Sequence, residues 1–192
     1  MKRPAVDALT STLRRLAPIG DETVQALSAL LTPRTFEPDA WLLRAGERAE
    51  TAYFIVSGVA REFYSDETGA EHTRRFASEG EFTGSLLDLL SGQPAVTYVQ
   101  ALEVTQTLAF SYAQFDALCN RSRELQLLAR RVVENLYICK AQREHAMLAL
   151  SARQRLEQWL EEHAALDPRV SRRHLASYLG ITPEHLSRLR RG

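Results

Sequence analysis

The sequence predicts an α+β protein made of an N-terminal antiparallel β jelly roll, a long helix and a small all-α C-terminal helix-turn-helix domain. Short β-prone runs recur between glycines in the first part of the chain, and apolar residues then repeat three and four apart over one long segment. Two short helical stretches joined through a glycine close the chain. We expect the jelly-roll domain at residues 1–115, the long-helix region at 116–150 and the helix-turn-helix domain at 151–192.

The composition is typical of a soluble globular protein. Of the 192 residues, 45% are hydrophobic and 25% are charged. No segment approaches the roughly 20 apolar residues that a membrane span needs, so we expect a cytoplasmic protein without membrane contact. The two cysteines, Cys119 and Cys139, are too few for a disulfide framework, a four-thiolate zinc site or a four-cysteine iron–sulfur cluster. We expect both thiols to be buried and reduced, and we predict no metal and no cofactor.

The predicted jelly-roll domain begins with two short helices and continues as strands. VDALTSTLRRL and DETVQALSALL, within residues 5–31, have apolar residues at helical spacing, and Asp21 stands where a cap of the second helix is expected. From Thr35 to about Ser111, the strand-like runs are WLLRAG, AYFIVSG, VAREFYS, HTRRFAS, VTYVQAL and QTLAFS. Glycines recur about every 8 to 12 residues, which indicates a jelly roll. We expect a hairpin loop at residues 66–69, Asp-Glu-Thr-Gly.

One long helix is predicted from about Ser122 to Leu150. Its main apolar stripe, interrupted at Arg143, consists of Leu125, Leu128, Val132, Leu136, Cys139, Ala146 and Leu150. Ala129, Val133 and Tyr137 widen this stripe. At about 1.5 Å per residue the helix would be about 45 Å long, and two apolar flanks suit packing on the barrel and on a second copy. We therefore expect a homodimer through residues 122–150, with a core helix of a monomer as the alternative.

The closing stretch HLASYLGITPEHLSRLRRG combines a turn signal with dense positive charge. Residues 169–192 hold six arginines and one acidic residue, so this segment carries a net charge of +5 in a chain whose net charge is 0. Ser171 is expected to cap one helix and Gly180 to end it. Thr182 is expected to cap a second helix that begins at Pro183. Two short helices joined in this way form a helix-turn-helix.

The second helix is expected to present a polar, cationic face. If Leu186 and Leu189 face inward, the 100° rotation per residue places Glu184, Arg188 and their polar neighbours on the opposite side. Such a helix can enter the major groove of double-stranded DNA, where arginine pairs with guanine and glutamate accepts from cytosine. The predicted DNA-binding residues are Glu184, Ser187, Arg188, Arg191, Thr182, His185, and, placed for phosphates, Arg172, Arg173 and Arg190.

These residues resemble those of a known family. YLGITPEHLSRLRR resembles the DNA-binding helix pair of the Crp/Fnr superfamily of bacterial transcription regulators, whose E-x-x-S-R motif residues 184–188 match. Gly46 with residues 52–58, and residues 80–84, resemble the barrel signature of that family and the entry to its ligand cassette. The resemblance implies a cyclic-nucleotide-binding-like sensor domain and a palindromic site of the form TTGA-N6-TCAA. It also makes RNA polymerase a candidate partner.

The cassette departs from the pattern of the family's cyclic-nucleotide binders. Those proteins place a glutamate for the ribose after the second cassette glycine, and an arginine for the phosphate about ten residues later. Here Ser85 stands at the glutamate position and residues 94–96, Pro-Ala-Val, fill the arginine position. A phosphate buried there would lack a charged partner, so we expect cAMP and cGMP not to bind well, and the effector to be unknown or absent. The residues expected to line the pocket are Gly84, Ser85, Leu86, Ala95, Val96 and Tyr98.

Several alternatives remain at this stage. His72 is a candidate haem ligand, although a lone histidine on a strand is more often merely exposed. A cupin-type enzyme would need clustered histidines and carboxylates, whereas residues 35–111 contain only His72, and we predict no enzyme. A sensor whose basic module binds a protein or RNA partner is the other candidate function.

The segment before the first helix of the pair is short. Only residues 168–170 stand between Asp167 and that helix, where many members of the family have a β-hairpin wing. We therefore expect a wingless module, with fewer phosphate contacts and a shallower salt dependence of DNA binding.

Overall fold

The protein is described by a computed structural model that covers residues 2–191. The strands are β1 (Thr32–Phe36), β2 (Trp41–Leu43), β3 (Thr51–Ser57), β4 (Ala60–Ser65), β5 (Glu71–Ala77), β6 (Phe82–Thr83), β7 (Tyr98–Ala101) and β8 (Thr105–Ser111). The helices are α1 (Lys2–Leu16), α2 (Asp21–Ser28), α3 (Leu86–Ser91), α4 (Tyr112–Cys119), α5 (Arg123–Ala149), α6 (Ala152–Glu162), α7 (Arg172–Leu179) and α8 (Pro183–Leu189). A three-ten turn at Asp167–Arg169 joins α6 to α7.

The strands form two four-stranded antiparallel sheets. The first sheet has the order β1-β8-β3-β6 and the second has the order β2-β7-β4-β5, which leaves β5 at an edge. Apolar side chains from both sheets, including Ile55, Ala60 and Val99, fill the space between them. Each of the six predicted runs contains a strand, and the predicted α+β class is confirmed. Strand β6 has two residues and β2 has three, so both are too short to show the alternation of apolar and polar residues that defines a strand.

The helix before the strands is capped differently from the prediction. Asp21 lies in the first turn of α2 and forms an ion pair with Arg14, while the N-cap position is Gly20. The Gly20 amide donates to the carboxylate of Glu124, at 3.0 Å, and the Thr23 hydroxyl donates to the same oxygen. The prediction that Asp21 caps α2 is wrong because α5, distant in sequence, supplies the acceptor.

The predicted long helix is present as α5. Ser122 is its N-cap and accepts from the Leu125 amide, and Leu125 and Leu128 are buried in a cluster that includes Phe54. Farther along, the helix leaves this core, and the Tyr137 and Leu148 side chains are 70% and 81% exposed in the single chain. A stripe of exposed apolar residues therefore follows the second half of α5.

One of the two cysteines differs from the prediction. Cys119, at the end of α4, is buried, and desolvation raises the pKa of its thiol to about 11. Cys139, on the second half of α5, is exposed, so the expectation that both thiols are buried is wrong. The helical periodicity placed Cys139 correctly on the apolar stripe, but that stripe leaves the core of its own chain beyond Leu128.

Candidate nucleic-acid interface

The C-terminal helices share one hydrophobic cluster. Ser151 and Gln154 form a capping box at the start of α6. The buried members of the cluster are Val59, Phe76, Leu156, Trp159, Leu166, Val170, Leu175, Ala176, Leu179 and Leu186. Val59 and Phe76 belong to the sheet region, so the core of the helix-turn-helix is completed by the sensor domain. We call residues 151–191 the C-terminal module.

The helix-turn-helix forms at the predicted positions. Ser171 accepts from the His174 amide at 3.2 Å and caps α7, and Thr182 accepts from the His185 amide at 3.2 Å and caps α8. Gly180 adopts a left-handed conformation with φ 67° and ends α7. A Cβ atom on Gly180 would lie 2.5 Å from the terminal methyl of Met147, so the turn also needs the space that glycine leaves. The predicted caps and the predicted glycine stop are confirmed.

The second helix of the pair, α8, buries one side and exposes the other. Leu186 has no exposed surface, and Leu189 packs against the same cluster. Glu184, Arg188 and Arg191 are exposed, as predicted. The structure therefore brings these three side chains to a free surface. The remaining predicted members of this surface are Thr182, which is exposed, and His185 and Ser187, which are partly buried.

The three arginines predicted to bind phosphate are exposed but not equivalent. Arg172 and Arg173 lie in the first turn of α7. Arg190 forms an ion pair with Asp167, and the same Asp167 oxygen accepts from the Trp159 indole at 2.8 Å. Arg190 is thus tied to the core of the C-terminal module, which the sequence alone did not indicate.

The cassette after β6 is closed on itself by hydrogen bonds. Asp88, on α3, is buried, and its carboxylate accepts from the Val96 amide at 3.1 Å and from the Thr97 amide at 3.3 Å. Burial would raise the pKa of Asp88, but hydrogen bonds from Ser85, Thr97 and these backbone amides outweigh it and hold the pKa below its ordinary value. The Ser85 and Thr97 hydroxyls are 3.0 Å apart. The charged carboxylate of Asp88 therefore already binds two backbone amides of the cassette, those of Val96 and Thr97.

The six residues predicted for an effector pocket do not share one environment. Gly84 has φ 119°, and a Cβ there would lie 2.7 Å from the Thr51 carbonyl oxygen. Ser85 and Ala95 are buried, Leu86 is partly buried, and Val96 is 56% exposed. Tyr98 stacks on Phe63 with ring centroids 5.1 Å apart. Two surface cavities lie elsewhere, one beside α1 and one between α1 and strands β1 and β8.

Comparison with known proteins shows what the chain is similar to. Residues 33–122 match the family profile "Cyclic nucleotide-binding domain". The cAMP-activated global transcriptional regulator CRP of Salmonella typhimurium is 34% identical over 77 residues, which cover 40% of this chain and 37% of that protein. The fumarate and nitrate reduction regulatory protein of Vibrio cholerae is 24% identical over 163 residues, which cover 77% of this chain and 63% of that protein. The chain is thus similar to regulators of the Crp/Fnr type and contains a cyclic nucleotide-binding domain, and it spans less than two thirds of the length of both relatives.

A solved structure supports the fold of the chain over most of its length. The structure of FixK2 from Bradyrhizobium japonicum superimposes with a TM-score of 0.73 at 20% identity, covering 84% of this chain and 83% of that one. The two relatives named above are regulatory proteins by name, in agreement with the expectation of a regulator rather than an enzyme. In residues 2–191 there is no group of three or more histidines, cysteines and carboxylates placed to hold a metal ion. None of the helices described is long and apolar enough to cross a membrane.

The C-terminal module packs against the edge of the second sheet. The Ser177 hydroxyl, on α7, donates to the Glu71 carbonyl at 2.7 Å and accepts from the Thr73 amide at 2.9 Å. Arg143, on α5, donates to the Thr73 carbonyl and to the Tyr178 carbonyl. Three backbone groups of edge strand β5 thus find partners on two helices.

A charged clamp joins the three-ten turn to the sheets. The Arg169 guanidinium donates to both carboxylate oxygens of Glu79, at 2.8 and 2.9 Å, and also pairs with Glu103. Hydrogen bonding to Arg169 lowers the pKa of Glu79 to about 2, and the two carboxylates raise the pKa of Arg169. Residues 168–170, where we predicted that a wing is missing, therefore overlap a turn whose Arg169 binds two carboxylates beside the sheets. We call Arg169, Glu79 and Glu103 the Arg169 clamp.

The Arg169 clamp makes the stability of the protein sensitive to acid. The pKa of Glu79 is lower in the folded state than in the unfolded state, so its contribution is fully present above about pH 4.5 and is lost as the pH falls towards 2. We expect the thermal midpoint to fall over this range more steeply for the natural protein than for Glu79→Gln. Glu157→Gln, on the exposed side of α6, is the control that should keep the natural pH dependence. If the thermal midpoint fell equally steeply with falling pH in Glu79→Gln and in the natural protein, the stabilising role of the Arg169 clamp would be contradicted.

Proposed function

We propose that this protein is a sequence-specific DNA-binding transcription regulator of the Crp/Fnr type. The observation that carries the proposal is the free face of α8, where Glu184, Arg188 and Arg191 are exposed while Leu186 on the opposite side is fully buried. A short helix with one buried side and one cationic side can lie in the major groove. The similarity of the E-x-x-S-R motif to that of the family supports a palindrome of the TTGA-N6-TCAA type.

The protein acts as a homodimer through residues 122–150 in this proposal. The exposed apolar residues on the second half of α5, among them Val133, Tyr137 and Leu148, support a second copy of this helix as the occupant. Two-fold symmetry would then place the two α8 helices on successive major-groove faces, about 34 Å apart. The chain matches 37% of the length of the Salmonella protein, so its assembly is part of the proposal.

The test of this function is the selection of bound duplexes from a random pool by the purified protein. We expect enrichment of a palindrome with TTGA-like half-sites, because both the base at each position and the half-site spacing are selected together. A matched pool of single-stranded RNA, selected in parallel, covers the alternative of an RNA partner. Enrichment of no duplex sequence at moderate salt would overturn the proposal.

The effector, if there is one, is a molecule other than cAMP in this proposal. Ser85 and Ala95 stand where cyclic-nucleotide binders of the family carry a glutamate and an arginine, and Asp88 already occupies the Val96 and Thr97 amides. A phosphate brought into the cassette would meet this carboxylate, and residues 94–96 supply no arginine for it, which is unfavourable by roughly several kcal/mol.

We therefore predict that cAMP and cGMP do not bind. Isothermal calorimetry with either nucleotide should give no saturable heat, with a cyclic-nucleotide-binding protein titrated in the same buffer as the control. The variant Asp88→Asn removes the negative charge but keeps the size of the side chain, so it tests whether the carboxylate alone excludes the nucleotide. Saturable binding of cAMP to the natural protein in the micromolar range would contradict the prediction.

A further inference from the structure

We propose that the C-terminal module is fixed on the sensor domain in the orientation that binds DNA, so that the protein binds its site without a small-molecule effector. This inference rests on the proposed function and specifies its regulation. It predicts that the contact between module and sensor sheet supports DNA binding, and that breaking the contact weakens it. Three separate sets of contacts in the structure carry the inference.

The first set is the backbone edge of β5. Ser177 both donates to the Glu71 carbonyl and accepts from the Thr73 amide, so one hydroxyl bridges two backbone groups of the strand. Thr73 is itself buried, and its hydroxyl accepts from Arg61, which is 1% exposed and also pairs with Glu71. If the module moved away, the Thr73 amide and the Glu71 carbonyl would lose their Ser177 partner. The contact between the C-terminal module and β5 is therefore a packed interface.

The second set is apolar. The ring of Phe76, on β5, lies 5.5 Å from the ring of Trp159 and 5.5 Å from the ring of Tyr178, measured between centroids. Trp159 and Tyr178 lie 5.1 Å apart, so the three rings form one cluster that crosses from the sheet to the module. Val59 belongs to the same core. Separation of the module would expose this cluster to water.

The third set is the Arg169 clamp. Its guanidinium spans two carboxylates that lie on different segments of the sensor domain, Glu79 before β6 and Glu103 before β8. The Glu79 carboxylate also accepts from the Gly58 amide at 2.8 Å, which fixes it to the β3–β4 connection. The clamp thus fixes the direction of the module as well as its distance, because a guanidinium held by two carboxylates has a defined plane.

The free face of α8 is what the packed arrangement leaves open. The contacts with the sensor domain are made by α6, by the three-ten turn and by α7, whereas Glu184, Arg188 and Arg191 stay exposed. Arg143 extends the arrangement to the dimerisation helix, since its guanidinium donates to the carbonyls of Thr73 and Tyr178 and lies 3.9 Å from the centroid of the Tyr178 ring. The sheet, the helix α5 and the module are therefore fixed together.

A fixed arrangement suits DNA binding because a palindrome requires one separation of the two α8 helices. If each module is already oriented on its dimer helix, no ordering cost is paid when DNA binds. In the cassette, the amides of Val96 and Thr97 and the hydroxyl of Ser85 already have partners within the chain. In a ligand-dependent regulator, effector binding supplies the free energy that orients the DNA-binding modules. Here the modules are already oriented, so that free energy is not required.

The experiment reverses the charge at the clamp. In Arg169→Glu a third carboxylate would face Glu79 and Glu103, and we expect roughly tenfold or greater loss of affinity for the selected palindrome. Arg153→Glu is the matched control, because Arg153 is exposed on α6 and makes only a 4.0 Å contact with Glu157, so it alters the charge of the same module equally. The double variant Arg169→Glu with Glu103→Arg restores an opposite-charge pair and should recover most of the affinity.

Hydrogen exchange measures the contact itself, independently of DNA. We expect the amides of β5 and α7 to exchange faster in Arg169→Glu than in Arg153→Glu, and to slow again in the double variant. Tighter DNA binding by Arg169→Glu, or equal binding by the two single variants, would overturn the inference, as would unchanged exchange. A loss that the double variant does not recover would assign Arg169 to direct DNA contact and also overturn it. If the natural protein selects no duplex, the proposed function fails, whatever the exchange shows.

Discussion

Replacing Arg188 with alanine is expected to lower the affinity for the preferred palindrome by about 1–3 kcal/mol per half-site. The proposed dimer would read two half-sites, so the whole effect is roughly 30-fold to 20,000-fold. Arg188 is exposed on α8, one turn beyond Glu184, and within residues 2–191 its guanidinium makes no hydrogen bond or ion pair. Its guanidinium is therefore free to make the paired contact to guanine O6 and N7. Titration of a labelled duplex at fixed salt measures the loss.

The pattern of losses across sequences separates base recognition from charge. Arg188→Ala should relax discrimination at one base position of each half-site, and the affinities for other positions should keep their ratios. Arg172→Ala, at the start of α7, should weaken all duplexes by a similar factor and reduce the salt dependence. Arg153→Ala removes one positive charge on the outer side of α6 and is the control. Equal losses on specific and random duplexes for Arg188→Ala would contradict its assigned role.

Local signals explain why the helix-turn-helix was predictable from the sequence. Ser171 and Thr182 accept from backbone amides three residues later, and Gly180 adopts the left-handed conformation. Each of these features depends on a few neighbouring residues and is decided by hydrogen-bonding capacity or by steric freedom. The same applies to Ser122, which caps α5. The strand runs could be assigned because glycines separate them, although the order of the strands in the two sheets could not.

Contacts between distant segments could not be predicted in the same way. In the sequence, Asp88 is a single acidic residue within an apolar segment. Its carboxylate accepts hydrogen bonds only because the fold brings the Val96 and Thr97 amides next to it. Arg169 was counted with the basic module, whereas in the structure two carboxylates of the sensor domain neutralise it. Arg143 offered a signal, since it interrupts the apolar stripe of α5, and that interruption is where the helix meets both β5 and α7.

The largest expected effect on stability comes from Trp159→Ala. Trp159 is 2% exposed and packs against Phe76 and Tyr178, and its indole N–H donates to Asp167 at 2.8 Å. Truncating a buried aromatic side chain costs about 3–5 kcal/mol in the free energy of unfolding, because its transfer energy is lost and a cavity remains. The buried Asp167 carboxylate would lose its indole donor as well. Urea denaturation followed by far-ultraviolet circular dichroism measures the loss.

Two further variants separate the contributions of the Trp159 side chain. Trp159→Phe keeps much of the apolar area but removes the donor to Asp167, which keeps its ion pair with Arg190. A loss of about 1–3 kcal/mol is therefore expected from the lost hydrogen bond and the smaller ring. Leu160→Ala, at the next position of α6 but 41% exposed, should cost much less than Trp159→Ala. Because Phe76 belongs to the sheet and Tyr178 to α7, Trp159→Ala should also speed hydrogen exchange in β5. A loss confined to α6 and α7, with β5 unchanged, would mean that the aromatic cluster does not hold the module on the sheet.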